Sequence, residues 1–393
     1  MDTNRTNVDP MNSEIWLPAQ RTACVGPQDA LTFEPARPFA DQTLRQVIHL
    51  HRGAPALRIH ISNRFGEHEL HLDAARAALH LGAGRIEVST DIPVTFSGNK
   101  ELNVAPGRTA VSDPIALRVP DDSEIAVSIY LRNPAGPAAH HQSALQTGYI
   151  IDGDATTAET LDAGLAEETT SLYWICGVDI EAAETARPLI AVFGDSLTNG
   201  DGSTPGAHNR FPDQLARRLG STVLNLGISG NRLLRDGFGR SGLARFERDV
   251  LAVPGVTHVV IELGINDLVH AGAFNQPIPR ADELIDGLRT LAHRARATGI
   301  VPVAATLTPY RDTVYPKAFS EAGEQVREQL NAWIRGAQEF RAVLDIDALM
   351  QDPRRPGFLN PAYDKGDHLH PNDVGHRVIA EAFDPAWLTS PCA

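Results

Sequence analysis

Apolar and polar positions alternate through the first half of the chain. Leu57, Ile59 and Ile61 are separated by Arg58, His60 and Ser62. A period of two puts the apolar side chains on one face of an extended strand and leaves the other face wet. Ile115, Leu117 and Val119 repeat the pattern around Ala116 and Arg118. Beyond a turn at Pro120-Asp121-Asp122, it returns in Ile125, Val127, Ile129 and Leu131. Further turns are marked by Asn63-Arg64-Phe65-Gly66, Gly82-Ala83-Gly84 and Asn133-Pro134. Many short strands at regular spacing predict an all-β, antiparallel sandwich of the jelly-roll kind. No helical period of comparable strength occurs before about residue 180. The Ala/Thr/Glu-rich stretch from Ala155 to Glu168 reads as a surface loop or a short helix.

From Pro188 the pattern changes. Leu189–Phe193, Thr222–Leu226, Val256–Leu263, Ile300–Leu307 and Ala342–Ile346 are compact apolar runs, as expected of parallel strands covered on both faces. Between them lie helical periods. In Ala281–Thr298, residues Leu284, Ile285, Leu288, Leu291, Ala292 and Ala295 fall on one face, and Phe319–Ile334 reads as a second helix. Strand–helix alternation predicts a three-layer α/β/α domain with a parallel sheet. The division is therefore a sandwich domain over residues 1–180 and an α/β domain over 188–393, joined by a polar connector near Ile180–Arg187.

A length of 393 residues suits two cores better than one. The formal net charge of −14, from 49 acidic and 35 basic residues, disfavours nucleic acid and anionic lipid as partners. It is indifferent to a neutral ester. Cys24, Cys176 and Cys392 are too few and too scattered for a disulfide or metal framework. Cys24 and Cys176 can pair if the ends of the first domain meet, free buried thiols being the preferred reading, and Cys392 is expected to be exposed. No apolar leader opens the sequence and no run approaches a membrane span. The expected location is the cytoplasm for the chain as it stands, or outside the cell if a leader has been removed.

Four segments of the second half concentrate polar residues, and three directly follow predicted strands. Ligands of open α/β sheets bind at the carboxyl ends of the strands. In the first segment, Val192-Phe193-Gly194-Asp195-Ser196-Leu197-Thr198-Asn199-Gly200, a strand runs into a tight turn that presents a hydroxyl. Ser196 there is either a nucleophile or a plain helix N-cap, and Asp195 braces the turn. The second, Asn225-Leu226-Gly227-Ile228-Ser229-Gly230-Asn231, places a glycine N–H beyond a strand end, or is simple turn chemistry. The third, Leu263-Gly264-Ile265-Asn266-Asp267, offers an Asn amide to the same crevice, or an Asx turn.

In the fourth segment, Asp364-Lys365-Gly366-Asp367-His368-Leu369-His370-Pro371-Asn372, an Asp three residues before a His lets one loop carry both base and orienter. Asp364 is the rival orienter. Pro371 suits the first position of a helix running to about Phe383. His368 and His370, with Asp373 and His376, form the alternative of a metal cluster, which no further ligand group completes.

Together, in this order, the four segments resemble the blocks of the SGNH (GDSL) hydrolase family over about residues 188–385. The resemblance implies a serine esterase with Ser196 as nucleophile and Asp367 and His370 completing a triad. It implies an oxyanion hole from the N–H groups of Ser196 and Gly230 and the side chain of Asn266, with no metal or organic cofactor. The first half, with Thr43-Leu44-Arg45-Gln46 and Ile61-Ser62-Asn63-Arg64-Phe65-Gly66, looks like the β-sandwich that precedes the catalytic domain in some bacterial members.

The expected substrates are small or moderate acyl esters. One alternative is deacetylation of an acetylated sugar or xylan, and another is a carbohydrate-binding protein whose hydrolase half is inert. Arg232, Arg235 and Arg240 are read as a solvated loop rather than a recognition site for acidic groups. His140, His141 and Trp174 line the entrance to the site or fill ordinary core and surface roles.

Overall fold

Strand Gln42–Leu50 lies in the middle of a six-stranded antiparallel sheet, flanked by Gly148–Asp152 and Ser123–Leu131. This is a computed structural model that describes residues 15–162, 164–182 and 188–389. The N-terminal residues, Cys392 and most of the expected connector lie outside the described residues. A second sheet orders Ile15–Arg21, Ile175–Ala182, Leu57–Ser62 and Thr109–Val111. The predicted alternation sets its register. Leu57 faces Ile180, Ile59 faces Val178, and Ile61 faces Ile175. All six are buried in one core with Leu44, Ile48, Ile129 and Trp174 of the first-half strands and loops.

One expectation for this half changes, and another is refined. Ile115, Leu117 and Val119 are buried as predicted, but they do not form a regular strand. Only isolated bridges, Leu57 to Ile115 and Ala54 to Val119, join that segment to its neighbours. Pro114 and Pro120 bracket it, and a proline cannot donate to a ladder. The stretch from Ala155 to Glu168 contains no helix among the described residues, and Glu167–Thr169 adds an edge strand. A buried cation holds the start of that stretch. The Arg45 guanidinium donates to the carbonyls of Gly84 (2.7 Å), Ala155 (3.2 Å) and Ala158 (2.7 Å).

The second half is a five-stranded parallel sheet, in the spatial order Val223–Gly227, Leu189–Gly194, Val256–Glu262, Val301–Ala305 and Val343–Leu344. The helices are α1 (Ser196–Asn199), α2 (Phe211–Leu219), α3 (Gly242–Phe246), α4 (Ile265–Ala273), α5 (Ala281–Ala297), α6 (Glu321–Gly336), α7 (Ile346–Met350) and α8 (Asp373–Ala382). Successive residues of strand Leu189–Gly194 point to opposite faces. Ile190 and Val192 pack with Phe211, Leu215 and Ile379 of α2 and α8. Ala191 and Phe193 pack with Leu284, Leu288, Leu330 and Ile334 of α5 and α6. This two-sided burial explains why the strands read as unbroken apolar runs.

The Asn372 side chain accepts from Val374 and Gly375 N–H groups at 3.0 and 3.1 Å, so α8 begins at Asp373. Pro371 therefore precedes the cap instead of occupying the first helical position.

The chain leaves strand Leu189–Gly194 toward one neighbour and later returns on its other side. That reversal opens a crevice beyond the carboxyl ends of the strands, and the loops after Gly194, Gly227 and Glu262 all emerge there. The sandwich packs against this half through polar side chains. His51 Nε2 lies 3.2 Å from Asp213 Oδ1, His208 Nε2 lies 2.7 Å from Glu124 Oε1, and His141 Nε2 lies 2.9 Å from Asn199 Oδ1. Cys24 and Cys176 are free thiols. No helix among the described residues is long and apolar enough to cross a membrane.

Candidate active site

Gly194 ends its strand where no side chain fits. A Cβ there would lie 2.0 Å from Thr198 Oγ1 and 2.7 Å from the Glu262 carbonyl. The chain then turns, and the Asp195 carboxylate caps α1 by accepting from Leu197 N–H at 3.2 Å. The cap is thus Asp195, and Ser196 is the first helical residue.

Ser196 Oγ lies 2.8 Å from His370 Nε2. His370 Nδ1 lies 2.6 Å from Asp367 Oδ2. The other carboxylate oxygen, Oδ1, accepts the backbone N–H groups of Leu369 (3.0 Å) and His370 (2.8 Å), so the loop that carries the imidazole also clamps its partner. Tyr315 donates its hydroxyl to Asp367 Oδ2 at 3.1 Å, and Lys365 Nζ stands 3.1 Å from the same atom. Burial alone would raise the Asp367 pKa. The hydrogen bond and charge of His370, its backbone N–H and Lys365 outweigh burial and hold the carboxyl well below the usual carboxylate range. Asp364 is committed elsewhere: it engages His368 Nδ1 and accepts from Gly366 and His368 N–H groups at 2.7 and 3.1 Å.

Asn266 sits in the first turn of α4, and its side-chain nitrogen Nδ2 is buried with no hydrogen-bond partner among the described residues. Gly230 has φ +77°, and a Cβ there would meet the Phe238 ring at 2.5 Å. Both the backbone conformation and the space demand glycine. The loop is fixed by Asn231, whose Nδ2 donates to the carbonyls of Phe238 (2.8 Å) and Arg240 (2.9 Å).

A second carboxyl pair lies beneath the Ser196 turn. Glu262 Oε2 accepts from Thr198 Oγ1 at 3.0 Å and from Asp195 N–H at 3.4 Å. Burial pushes Glu262 up to about 7. Burial, then the adjacent Glu262, raises Asp195 well above its ordinary value. Two like charges cannot both persist in so dry a place, so the pair keeps a proton near neutrality.

The alternative metal cluster is dispersed into separate tasks. His376 accepts from Phe211 N–H at 3.3 Å through Nδ1 and faces the Asp201 carbonyl with Nε2. Asp373 accepts from Thr204 and Asn209. Arg232 is not solvated as expected: it is buried, donating to Gln276 Oε1 at 3.0 Å and to the Asp236 carbonyl. Arg240 does lie in an exposed loop, paired with Asp236 at 3.2 Å. Trp174 belongs to the sandwich core, whereas His141 reaches α1.

Tyr315 and Arg245 were not anticipated. Arg245 donates to the carbonyls of Gly194 (2.8 Å) and Leu226 (2.9 Å) and to Asn231 Oδ1 (2.9 Å). Its partners are up to 51 residues away in sequence, so no local pattern announces it.

Residues 192–378 match the model of the GDSL-like lipase/acylhydrolase family. This half of the chain is therefore a GDSL-like acylhydrolase domain, and the protein is a carboxylic ester hydrolase. No curated protein matches the sequence. Among solved structures, a GDSL-like lipase from Bacteroides thetaiotaomicron is 21% identical with a TM-score of 0.41, covering 51% of this chain and 87% of that one. A carbohydrate acetylesterase from Sinorhizobium meliloti is 17% identical with a TM-score of 0.40, covering 50% and 96%. A catalytic mutant of an acetylxylan esterase from Geobacillus stearothermophilus is 23% identical with a TM-score of 0.39, covering 50% and 92%.

The raised pKa of Glu262 gives stability a definite pH dependence. Below its unfolded value, from which it is raised to about 7, the group is protonated in both states. Between the two values only the folded state keeps the proton, so stability falls as pH rises, and the loss is complete above about 7. Glu262→Gln removes this slope. Urea denaturation at pH 5 and pH 8 should show the variant gaining roughly 1–3 kcal/mol on the parent across that interval. Parallel pH profiles for the two proteins would contradict the protonated pair.

Proposed function

We propose that Ser196 is the nucleophile of this esterase, His370 its general base and acid, and Asp367 the carboxylate that orients the imidazole. The observation that carries the reading is the unbroken chain from Ser196 Oγ to His370 Nε2 and from His370 Nδ1 to Asp367 Oδ2, at 2.8 and 2.6 Å. Asp367, held ionised, fixes the proton on Nδ1 and leaves the Nε2 lone pair for the serine. Oγ attacks the ester carbonyl while Nε2 takes its proton. The imidazolium returns that proton to the leaving alkoxide, and the acyl group stays on Ser196. Water then repeats the sequence, releasing the acid and restoring the hydroxyl.

Negative charge develops on the carbonyl oxygen in both halves. The N–H groups of Ser196 and Gly230 and the side-chain amide of Asn266 are assigned to receive it. The unpartnered Asn266 Nδ2 supports this assignment, because a buried donor left unpaired in the resting protein is available when an oxyanion forms.

A row of aromatic rings favours a cyclic alcohol part, such as an O-acetylated sugar, as a second, finer reading. Phe33 of the sandwich half is 55% exposed and stacks on Phe238 at 4.3 Å and 18°. Phe238 covers Gly230 and lies 5.5 Å from His270, which contacts the half-exposed Phe274 at 5.2 Å. His270 follows Asn266 by one turn of α4. An apolar ledge therefore borders two of the assigned oxyanion donors, and the C–H face of a sugar ring can lie on it.

Ser196→Ala should abolish ester turnover and labelling by a fluorophosphonate while leaving the denaturation midpoint near that of the parent. Retained turnover ends the assignment. Asn266→Ala should lower kcat ~100-fold or more with little change in KM, and a change in KM alone would move it to substrate binding. Phe33→Ala should raise KM several-fold for acetylated xylo-oligosaccharides but leave vinyl acetate unaffected. An equal effect on both esters argues against the ledge as a sugar platform.

A further inference from the structure

Away from this crevice, the seam between the two halves gathers histidines and carboxylates that the hydrolytic reading does not use. We propose that His49, His51 and Asp122 form a site for a divalent transition metal of the zinc class.

The strand pairing brings the three together. His49 and His51 are two positions apart at the end of Gln42–Leu50, so both project from the same side. His49 pairs with Glu124 and Leu50 with Ser123 on the adjacent strand. Asp122, whose φ is +51°, continues that register and donates its N–H to the His51 carbonyl at 3.3 Å. His49 Nε2 then lies 3.1 Å from Asp122 Oδ1, and His51 Nδ1 lies 3.5 Å from the same oxygen. One potential ligand atom from each residue falls within 4.8 Å of the other two. Tetrahedral zinc with bonds of about 2.0–2.1 Å holds its ligand atoms about 3.3 Å apart, so the two measured edges fit.

The hydrogen-bond roles point the same way. His51 Nε2 faces Asp213 Oδ1 at 3.2 Å, which puts the ring proton on Nε2. His51 Nδ1 is buried and without a hydrogen-bond partner, and it faces a carboxylate oxygen; in the neutral ring it carries the lone pair that a metal would take. Two electron-rich atoms directed at one another are reconciled by a cation between them. A carboxylate on the far nitrogen of a ligating histidine is the usual outer support of such sites, and Asp213 is itself held by Arg210 at 2.6 Å.

His208 stacks on His49 at 3.9 Å and is bonded to Glu124, so it stands outside the ligand set. Arg217 Nε lies 3.2 and 3.4 Å from the two oxygens of Asp122. It can keep Oδ2 when the metal takes Oδ1. Asp122 is 50% exposed, which leaves a coordination position open to water. The three ligands belong to the sandwich, whereas Asp213, Arg217 and His208 belong to the hydrolase half, so the ion would fasten one to the other.

The test uses the full chain, stripped with a chelator and dialysed. Calorimetric titration with Zn2+ should show one saturable site per chain and a rise in the melting temperature. Co2+ should give the visible absorption of a four-coordinate centre. His51→Ala should weaken Zn2+ at least tenfold. Asp122→Asn, at a half-exposed position where the fold is not at risk, should do the same while keeping the parent melting temperature in chelator. Absence of saturable binding, or undiminished binding in Asp122→Asn, overturns the site and leaves a metal-free polar seam. Neither result bears on Ser196.

Discussion

The Arg245 guanidinium fixes the geometry on which the crevice depends. It is fully buried and lies 4.0 Å over the Phe193 ring. From there it joins the end of strand Leu189–Gly194, the end of the neighbouring strand at Leu226, and the side chain of Asn231. The Ser196 turn and the Gly230 loop leave the sheet at those points. Removing a cation from water is costly, and burial lowers the Arg245 pKa to about 10, with Asp249 opposing the shift. The cost is offset because the guanidinium satisfies three buried acceptors, two of them at strand ends. Without the guanidinium, the Asn231 side-chain oxygen would become a buried orphan worth about 1–3 kcal/mol, and the Gly194 carbonyl would keep only the Ile228 N–H at 3.2 Å.

Charge is distributed unevenly around that frame. Asp367 is kept ionised at the rim by His370 and Lys365, whereas Asp195 and Glu262 share a proton under the Ser196 turn. With one proton held between the lower two, these three carboxyls carry two negative charges instead of three. If both lower carboxyls were ionised, the added charge would favour a cation at His370 and oppose negative charge developing beside Ser196. The proton that burial keeps on the pair weakens its field.

Much of this architecture is written in local patterns. Two-residue alternation gives Leu57, Ile59 and Ile61 their buried face, and unbroken apolar runs give the five parallel strands, because each pattern follows directly from which faces are covered. The four polar segments are legible because glycine turns, an Asn and an Asp-x-x-His spacing are themselves local. What escapes is set by distant partners. Pro114 and Pro120 reduce Ile115–Val119 to isolated bridges although its side chains bury as expected. Arg232 is identical in sequence terms to a surface arginine, and only Gln276 and Asp236 make it a buried one. Tyr315 reaches Asp367 from 52 residues away. The rings of Phe33 and Phe238 come from different halves of the chain.

The contact between His141 and Asn199 carries a consequence for how such a protein is inherited. His141 spends one ring nitrogen on the Ala23 carbonyl and the other on Asn199, the last residue of the short helix that begins with Ser196. Asn199 also donates to the Ser143 carbonyl and to Ser229 Oγ. The N-terminal half is therefore part of the wall behind the helix that begins with Ser196, and not a passenger joined by a tether. Exchange of that half for another by recombination would strip from Asn199 the polar partners His141 and Ser143.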